Sequence, residues 1–194
     1  MKEQLTRTID DFLFDKKIMR KPALLLDTGF IIDLEQTSDG YALLEKLSGQ
    51  YKLLVTDGVI GEVRRHHDVF VKNGRQREIS DKMYNLVERV YSDSADVLSC
   101  IKAPENEEAV DNLRYNIHWA YLESATQKKI EVDPMSPVDK ETLLTALALT
   151  DMTKEYRVGV LSPDAHISAT LARLSAPGYK APNRGYEHVK SFSL

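Results

Sequence analysis

The stretch PALLLDTGFIIDL, residues 22–34, decides how this chain folds. Its first five residues form a short, continuous apolar run, which is typical of a strand buried on both faces of a parallel sheet. The run ends at an acid, Asp27. Because parallel sheets bind ligands beyond the carboxyl ends of their strands, the same stretch predicts both a buried strand and a candidate functional residue.

Strand-like and helix-like segments alternate along the rest of the chain. Further strands are predicted, with decreasing clarity, at residues 52–56, 96–101, 158–162 and 188–193. Apolar residues at helical spacing run from Ile79 to Val90 and from Val110 to Ala125, and a third helix is predicted at about 139–155. This alternation predicts a three-layer α/β/α fold with a mainly parallel sheet of four to five strands.

The composition is that of an ordinary globular domain. The chain has 194 residues, a formal net charge of −4 and one cysteine, which excludes an internal disulfide framework. Its apolar stretches are too short and too often interrupted by polar residues to span a membrane. The N-terminal residues MKEQLTRTIDD contain no apolar signal region, so we expect a cytoplasmic setting and no membrane partner.

The chain is predicted to divide into an N-terminal helical extension, residues 1–21, and one main domain, residues 22–194. In the extension, apolar residues keep helical spacing over residues 3–14, which predicts a helix that docks on the body of the domain. Those residues are Leu5, Ile9, Phe12 and Leu13.

Four acids are predicted to meet at one end of the sheet. Asp27 closes the first strand, Asp164 follows a later one, and Asp139 opens the helix that leads into it. Glu62 lies six residues past the strand at 52–56, on a helix whose inward neighbours are Val59 and Val63. Two carboxylates about 5 Å apart repel each other by about 3 kcal/mol at an effective dielectric constant of 20. Such a group persists if it shares protons or binds hard cations, of which Mg²⁺ and Mn²⁺ suit carboxylate ligands best.

The segments that carry these acids resemble, in the same order, the four signature segments of PIN-domain nucleases, the family that includes VapC-like ribonucleases. The segments are LLLDTGFIIDL, TDGVIGEV, PVDKETLLTALAL and VLSPDAHI. Asp27 matches the family's first-strand aspartate, and Glu62 matches its helix glutamate. Asp139 matches the aspartate seven residues before a small helix residue, and Asp164 matches the last aspartate. The second acid that often follows the last aspartate is replaced here by His166.

The resemblance implies a divalent-metal-dependent ribonuclease that hydrolyses RNA phosphodiester bonds. Asp27, Asp139 and Asp164 would bind Mg²⁺ or Mn²⁺, and Glu62 would position water. Thr28 and Ser162 would support the site by hydrogen bonds to the ligands or to a phosphate oxygen. The implied partners are an RNA substrate, an antitoxin or other protein inhibitor if the chain is a toxin, and a second copy in a homodimer.

A basic stretch beside Glu62 has two interpretations. Arg64, Arg65, Lys72 and Arg75 could bind RNA phosphates, or they could form an ordinary solvated face. The neighbouring histidine pair, residues 66–67, has no further Cys or His at ligand spacing, so it does not predict a zinc site. Trp119 and Tyr121 fall in a helical stripe and are predicted to lie in the core.

Other α/β enzymes fit the sequence less well. A haloacid-dehalogenase phosphatase needs an acid two residues after its first aspartate, where this chain has Gly29. Neither G-x-G-x-x-G after the first strand nor a Gly-Lys-Ser/Thr phosphate loop is present. The remaining alternative is a PIN-like scaffold that binds or assembles without catalysing. Within the nuclease interpretation, a toxin, a housekeeping RNA-processing enzyme and an effector domain of a larger protein all stay open.

Overall fold

A parallel sheet of four strands organises the computed structural model, which describes residues 4–5, 8–9, 21–73, 79–128, 135–151, 156–176 and 189–193. The strands are β1 (Lys21–Leu26), β2 (Lys52–Leu54), β3 (Tyr156–Leu161) and β4 (Val189–Phe192). Their order across the sheet is β2-β1-β3-β4, and every pairing is parallel. The predicted α/β fold with a mainly parallel sheet is therefore confirmed.

Seven helices lie between the described strands. They are α1 (Thr28–Glu35), α2 (Gly40–Gln50), α3 (Asp57–Asn73), α4 (Asp81–Ile101), α5 (Glu107–Lys128), α6 (Pro137–Asp151) and α7 (Ala165–Leu174), with a short 3₁₀ turn at Pro104–Asn106. The third predicted helix begins two residues earlier than predicted, at Pro137, and residues 152–155 lie outside the described residues. Within the described parts of the chain, none of the helices combines the length and apolarity that a membrane crossing requires.

Side chains alternate between the two faces of the sheet and build two cores. In β1, Leu24 and Leu26 join the core under α1 to α4, whereas Ala23 and Leu25 join the core under α5 to α7. This period of two follows from the pleat, which points successive side chains to opposite faces. A strand buried on both faces has to be apolar throughout, and this explains the continuous run that begins at Pro22.

The predicted strand at residues 96–101 is wrong, because these residues form the last turns of α4. Leu98 and Ile101 continue the buried face that Val90 belongs to, with Ser94 between them. Ser94 is polar and hides the helical period in the sequence, yet it is fully buried. Its hydroxyl donates to the carbonyl of Val90 (2.7 Å) and accepts from the backbone N–H of Val55 (3.1 Å).

The N-terminal segment packs onto the body of the domain. Residues 4–5 and 8–9 are helical, and Leu5 and Ile9 are buried in the core under α1 to α4. The same segment lines a small surface cavity together with β4 residues Lys190 and Phe192. Phe12 and Leu13 of the predicted stripe lie outside the described residues.

We expect Gly159→Ala in β3 to destabilise the domain. A Cβ at residue 159 would lie 2.6 Å from Leu24 Cδ2 and 3.0 Å from Phe192 Cε2, so three strands would have to adjust. Overpacking of this kind costs about 1–3 kcal/mol. Thermal unfolding should show a fall of several degrees in Tm.

Gly49→Ala in α2 is the matched control. A Cβ at residue 49 has nothing within 4 Å, and alanine is the better helix former. Its Tm should equal or exceed that of the unmodified chain. Equal Tm values for the two variants would contradict the tight packing at Gly159.

Candidate metal centre

Asp27 lies at the carboxyl end of β1, at the point where the chain turns into α1. Its backbone N–H continues the sheet ladder by donating to the carbonyl of Leu161 (3.0 Å). Its side chain caps α1, because Oδ1 accepts from the backbone N–H of Thr28 (2.8 Å). Only 5% of the residue is exposed, so the strand and the cap together fix a carboxylate in a buried position.

Ser162 links Asp27 to the loop that follows β3. Its hydroxyl donates to Asp27 Oδ2 (2.7 Å), and the hydroxyl oxygen accepts from the backbone N–H of Asp164 (3.0 Å). Asp164 in turn caps α7 by accepting from the backbone N–H groups of His166 and Ile167. One buried hydroxyl therefore sets the positions of two acids that are distant in the sequence.

Glu62 approaches from α3. Thr28 Oγ1 donates to Glu62 Oε2 (2.7 Å), which ties the first turn of α1 to α3. The other carboxylate oxygen of Glu62 lies 3.5 Å from the guanidinium of Arg65. As predicted, Val59 and Val63 of the same helix are buried. Their burial holds Glu62 near the carboxyl end of the sheet.

Asp139 enters from the opposite layer, in the first turn of α6. Its backbone N–H donates to the hydroxyl of Ser136 (3.0 Å), and its carboxylate is half-buried. Asp164 and Glu62 lie close enough for their negative charges to raise the pKa of Asp139. The structure therefore brings all four predicted acids to one end of the sheet.

Burial and like charge raise the pKa values in this group. Burial is the largest cause of the shift of the Asp27 pKa from 3.8 to about 6, and the charges of Asp139 and Asp164 add to it. The hydrogen bond from Ser162 acts in the opposite direction. The Asp139 pKa is raised mainly by burial as well, with further contributions from Asp164 and Glu62. The fold thus holds these carboxylates together against a desolvation penalty and mutual repulsion.

The chemistry of this donor set fits a hard divalent cation. Every donor is a carboxylate oxygen, the ligand type that Mg²⁺ and Mn²⁺ prefer. Among the described residues, no three Asp, Glu, His or Cys side chains are grouped closely enough to hold an ion in the present arrangement.

The predicted RNA-binding residues have different surroundings. Arg64 forms a two-pronged ion pair with Glu88, with nitrogen–oxygen distances of 2.6 and 3.0 Å. Arg65 is exposed and adjoins Glu62. Lys72 lies on α3 but its side chain is outside the described part of the structure, as is the whole of Arg75.

His67, the second member of the neighbouring histidine pair, packs between α3 and α4. Its ring stacks on Tyr84 with a centroid distance of 4.1 Å. Its Nε2 lies 2.9 Å from Asp81 Oδ1, in the first turn of α4. These contacts give His67 a structural role that joins the two helices.

The predicted burial of Trp119 is wrong. Tyr121 is buried in the core, as predicted, but Trp119 is 45% exposed. The stripe that enters the core contains Leu113, Ile117 and Ala120. Residue 119 is two positions from Ile117, about 200° around the helix, so its spacing alone places it on the outer face.

Gly29 and Ser136 also shape the site, although neither was predicted from the sequence to do so. A Cβ at residue 29 would lie 2.9 Å from Pro163 Cγ, so only glycine lets α1 begin this close to the loop after β3. Ser136 supports Asp139 from three residues away. A serine three residues before an acid at the start of a helix is a cap signal that could have identified it.

Comparison of the chain with protein-family models, with curated proteins and with solved structures gave no match.

We expect Asp27→Asn to change how stability depends on pH in metal-free buffer. The folded state binds the Asp27 proton up to about pH 6 and the unfolded state only to about pH 3.8, so this carboxylate lowers the free energy of unfolding as pH rises between these values. The total effect is about 3 kcal/mol. The asparagine variant should lack it, so its stability relative to the parent chain should increase from pH 4 to pH 7.

Denaturant unfolding in EDTA at several pH values measures this difference. Asp33→Asn, which removes a partly exposed acid from the same helix α1, should follow the parent chain across the range. A pH-independent difference between Asp27→Asn and the parent would show that Asp27 titrates normally.

Proposed function

We propose that this chain is a divalent-metal-dependent ribonuclease of the PIN-domain kind. The observation that carries the proposal is the convergence of four acids at one end of the sheet. They come from the residues after β1 and β3, from α3 and from α6, and one of them, Asp27, is buried. Like charges held close together around a buried carboxylate cost folding free energy, and simple helix capping by Asp27 and Asp164 needs neither Glu62 nor Asp139 beside them. Cation binding gives all four acids a role.

The order of the acids along the chain supports the same proposal. Asp27 follows the first strand, Glu62 lies on the helix after β2, Asp139 opens the helix before β3, and Asp164 follows β3. PIN-domain nucleases, which these segments resemble, carry their acids in this order. Because the four segments lie in different parts of the chain, their agreement in order and element type is more specific than any one of them.

Each residue has a definite task in this proposal. Asp27, Asp139 and Asp164 would hold Mg²⁺ or Mn²⁺, which when bound lowers the pKa of a water molecule and neutralises charge on the phosphate. Ser162 fixes the orientation of the Asp27 carboxylate by donating to Oδ2. Its bond to the Asp164 backbone N–H keeps the second acid in register with the first.

Glu62 would orient water. Its Oε2 is already occupied by the Thr28 hydroxyl, so the side chain is held in one orientation. Its Oε1 is left to accept a hydrogen bond from water at the edge of the acid group, beside the Arg65 guanidinium. Arg65 is placed to offset negative charge there when a phosphate approaches.

One observation favours the alternative, a PIN-like module that binds or assembles without catalysis. In the described residues no three potential ligands are grouped tightly enough for an ion. A module of this kind would need no tighter grouping, because it would bind no ion. The toxin role with an antitoxin and the RNA-processing role are likewise proposals, and so is the homodimer.

Metal-dependent RNA cleavage tests the proposal. We expect the chain to cut a pool of single-stranded and structured RNA with Mn²⁺ or Mg²⁺ but not with EDTA. Asp164→Asn should lower the rate on the order of 100-fold or more, because charge stabilisation by a bound ion contributes several kcal/mol to such reactions. Asp33→Asn, purified identically, should cut like the parent chain.

Calorimetry with Mn²⁺ separates the remaining outcomes. Equal cutting by Asp164→Asn and the parent would identify a contaminant and contradict the proposal. An absence of both cutting and Mn²⁺ binding would favour the non-catalytic module. Mn²⁺ binding that Asp164→Asn abolishes would support the metal centre and direct the search to narrower RNA substrates.

A further inference from the structure

A hydrogen bond joins the first turns of α3 and α6, the helices that carry Glu62 and Asp139. Glu141 lies two residues after Asp139, and its Oε2 accepts from the backbone N–H of Gly58, the second residue of α3, at 2.7 Å. This N–H is one of the first four of α3, which have no carbonyl partner inside their own helix. A carboxylate from α6 therefore caps a helix that packs on the other face of the sheet.

The two turns are in direct contact at Gly58. A Cβ at residue 58 would lie 2.5 Å from Glu141 Oε2, 3.2 Å from Val138 Cγ2 and 3.4 Å from the Cα atom of Val138. Val138 packs against the core under α1 to α4, although the buried residues of α6 belong to the other core. The lack of a side chain at residue 58 is what lets α6 approach the start of α3 this closely.

Lys102, the residue after α4, contacts the Glu141 carboxylate from a second side. Its Nζ lies 3.8 Å from Glu141 Oε1 and forms an ion pair with Asp57, the first residue of α3. Tyr91 of α4 donates its hydroxyl to Asp57 Oδ1 (2.9 Å). The Lys102 side chain is half-exposed, and ion pairs of this kind contribute little on their own. The backbone bond at Gly58 therefore fixes the α6 turn more firmly than the lysine does.

Asp139 depends on this contact more than the other three acids do. Those acids are tied to one another through the hydroxyls of Ser162 and Thr28. The backbone N–H of Asp139 bonds instead to Ser136, three residues before it, which fixes the acid within its own turn. Its distance from the other acids is therefore set by how the start of α6 is placed.

Glu141 is well placed to set that distance. Gly58 precedes Glu62 by four residues, so the two lie one helical turn apart on the same side of α3. Glu141 follows Asp139 by two residues, so the two side chains leave α6 in different directions, one toward the start of α3 and one toward the acids. The negative charge of Glu62 contributes to the raised pKa of Asp139, which shows how close these two acids lie.

We propose that Glu141 is a positioning residue for the candidate metal centre, and that its bond to the Gly58 N–H sets the distance of Asp139 from Glu62. This inference rests on the proposed metal-dependent function. A residue that served only as a cap for α3 would stabilise the fold without affecting cation affinity. The two roles therefore predict different results.

Mn²⁺ calorimetry on variants of the full chain tests the proposal. Glu141→Ala removes the acceptor and should weaken Mn²⁺ binding on the order of 10-fold, within the range found when residues that orient metal ligands are replaced. Glu141→Gln keeps a side-chain oxygen that can accept from Gly58, so it should bind Mn²⁺ nearly like the parent chain. Rescue by glutamine would assign the effect to the hydrogen bond and not to the negative charge.

Gly58→Ala tests the same bond from the α3 side without changing any charge. Its Cβ would displace the Glu141 carboxylate, so Mn²⁺ affinity should fall as it does in Glu141→Ala. Gly61→Ala is the matched control, because a Cβ at residue 61 of the same helix has nothing within 4 Å. This variant should bind Mn²⁺ like the parent chain.

Ser80→Ala separates positioning from a loss of stability. Ser80 caps α4 by accepting from the backbone N–H of Met83 (3.2 Å), and it bonds to Glu35 at the end of α1 that is remote from Asp27. Thermal unfolding in EDTA should show a lower Tm for both Ser80→Ala and Glu141→Ala, because each variant loses a helix cap. Glu141→Ala should weaken Mn²⁺ binding, whereas Ser80→Ala should not.

A double-mutant cycle in EDTA at pH 8 tests the placement of Asp139 without any metal. Asp139→Asn should raise the free energy of unfolding, because it removes a half-buried charge that lies near other acids. This gain should be smaller in the Glu141→Ala background than in the Glu141→Gln background, since repulsion falls with distance. Both backgrounds lack the Glu141 charge, so the comparison isolates the hydrogen bond.

The outcomes separate this inference from the ribonuclease function. Unchanged Mn²⁺ affinity in Glu141→Ala, or an equal loss in Glu141→Gln, would overturn the positioning role and leave the metal centre. Equal affinities of Gly58→Ala and Gly61→Ala would contradict it as well. If the parent chain binds no Mn²⁺, the proposed function fails and the cycle decides. A smaller gain in the alanine background would then support the placement of Asp139 by Glu141, and equal gains would overturn it.

Discussion

The pairing of β1 with β3 is the constraint on which the rest of the molecule depends. These strands run parallel in a register that aligns Leu26 with Leu161, so both strands end at the same level of the sheet. The next residues, Asp27 and Ser162, are then close enough for a hydrogen bond of 2.7 Å, although 135 positions separate them. A shift of one residue in this register would turn every side chain of one strand to the opposite face, breaking both cores and this bond together.

Asp27 illustrates how the fold supports a costly group. The carboxylate is buried and near other acids, and both conditions disfavour its charged form. Three ordinary structural devices hold it there: the sheet ladder through its backbone N–H, the cap on α1 and the Ser162 hydroxyl. Each of these also stabilises the fold, so the position of the acid does not depend on the acid group alone. A destabilised carboxylate that stabilising neighbours hold in place is the pattern expected where a fold gives up local stability for function.

The sequence predicts the architecture well because its signals are local. Continuous apolar runs identify buried strands, and the residues that follow them mark the carboxyl end of the sheet, which is how the sequence predicts the positions of Asp27 and Asp164. Glu62 and Asp139 were predicted from their places on helices. Ser94 shows the limit, since a polar residue inside a buried stripe concealed the end of α4 and produced a false strand. The bridging bond from Ser162 and the bond from Thr28 to Glu62 depend on register and helix placement across the chain, and no local pattern encodes them. Trp119 differs, because its spacing along the helix already indicates an exposed position. Burial was predicted from the hydrophobicity of its side chain, and that prediction was wrong.

The four acids do not belong to one layer of the fold. Glu62 is carried by α3, which packs on one face of the sheet, whereas Asp139 and Asp164 are carried by α6 and α7 on the other face. Asp27 lies between them, at the carboxyl end of the inner strand β1. A cation bound by acids from both faces would join the two layers, and its binding free energy would add to the stability of the folded state. In the same way, a change that loosens either layer would separate the ligands, so metal affinity would depend on packing far from the acids.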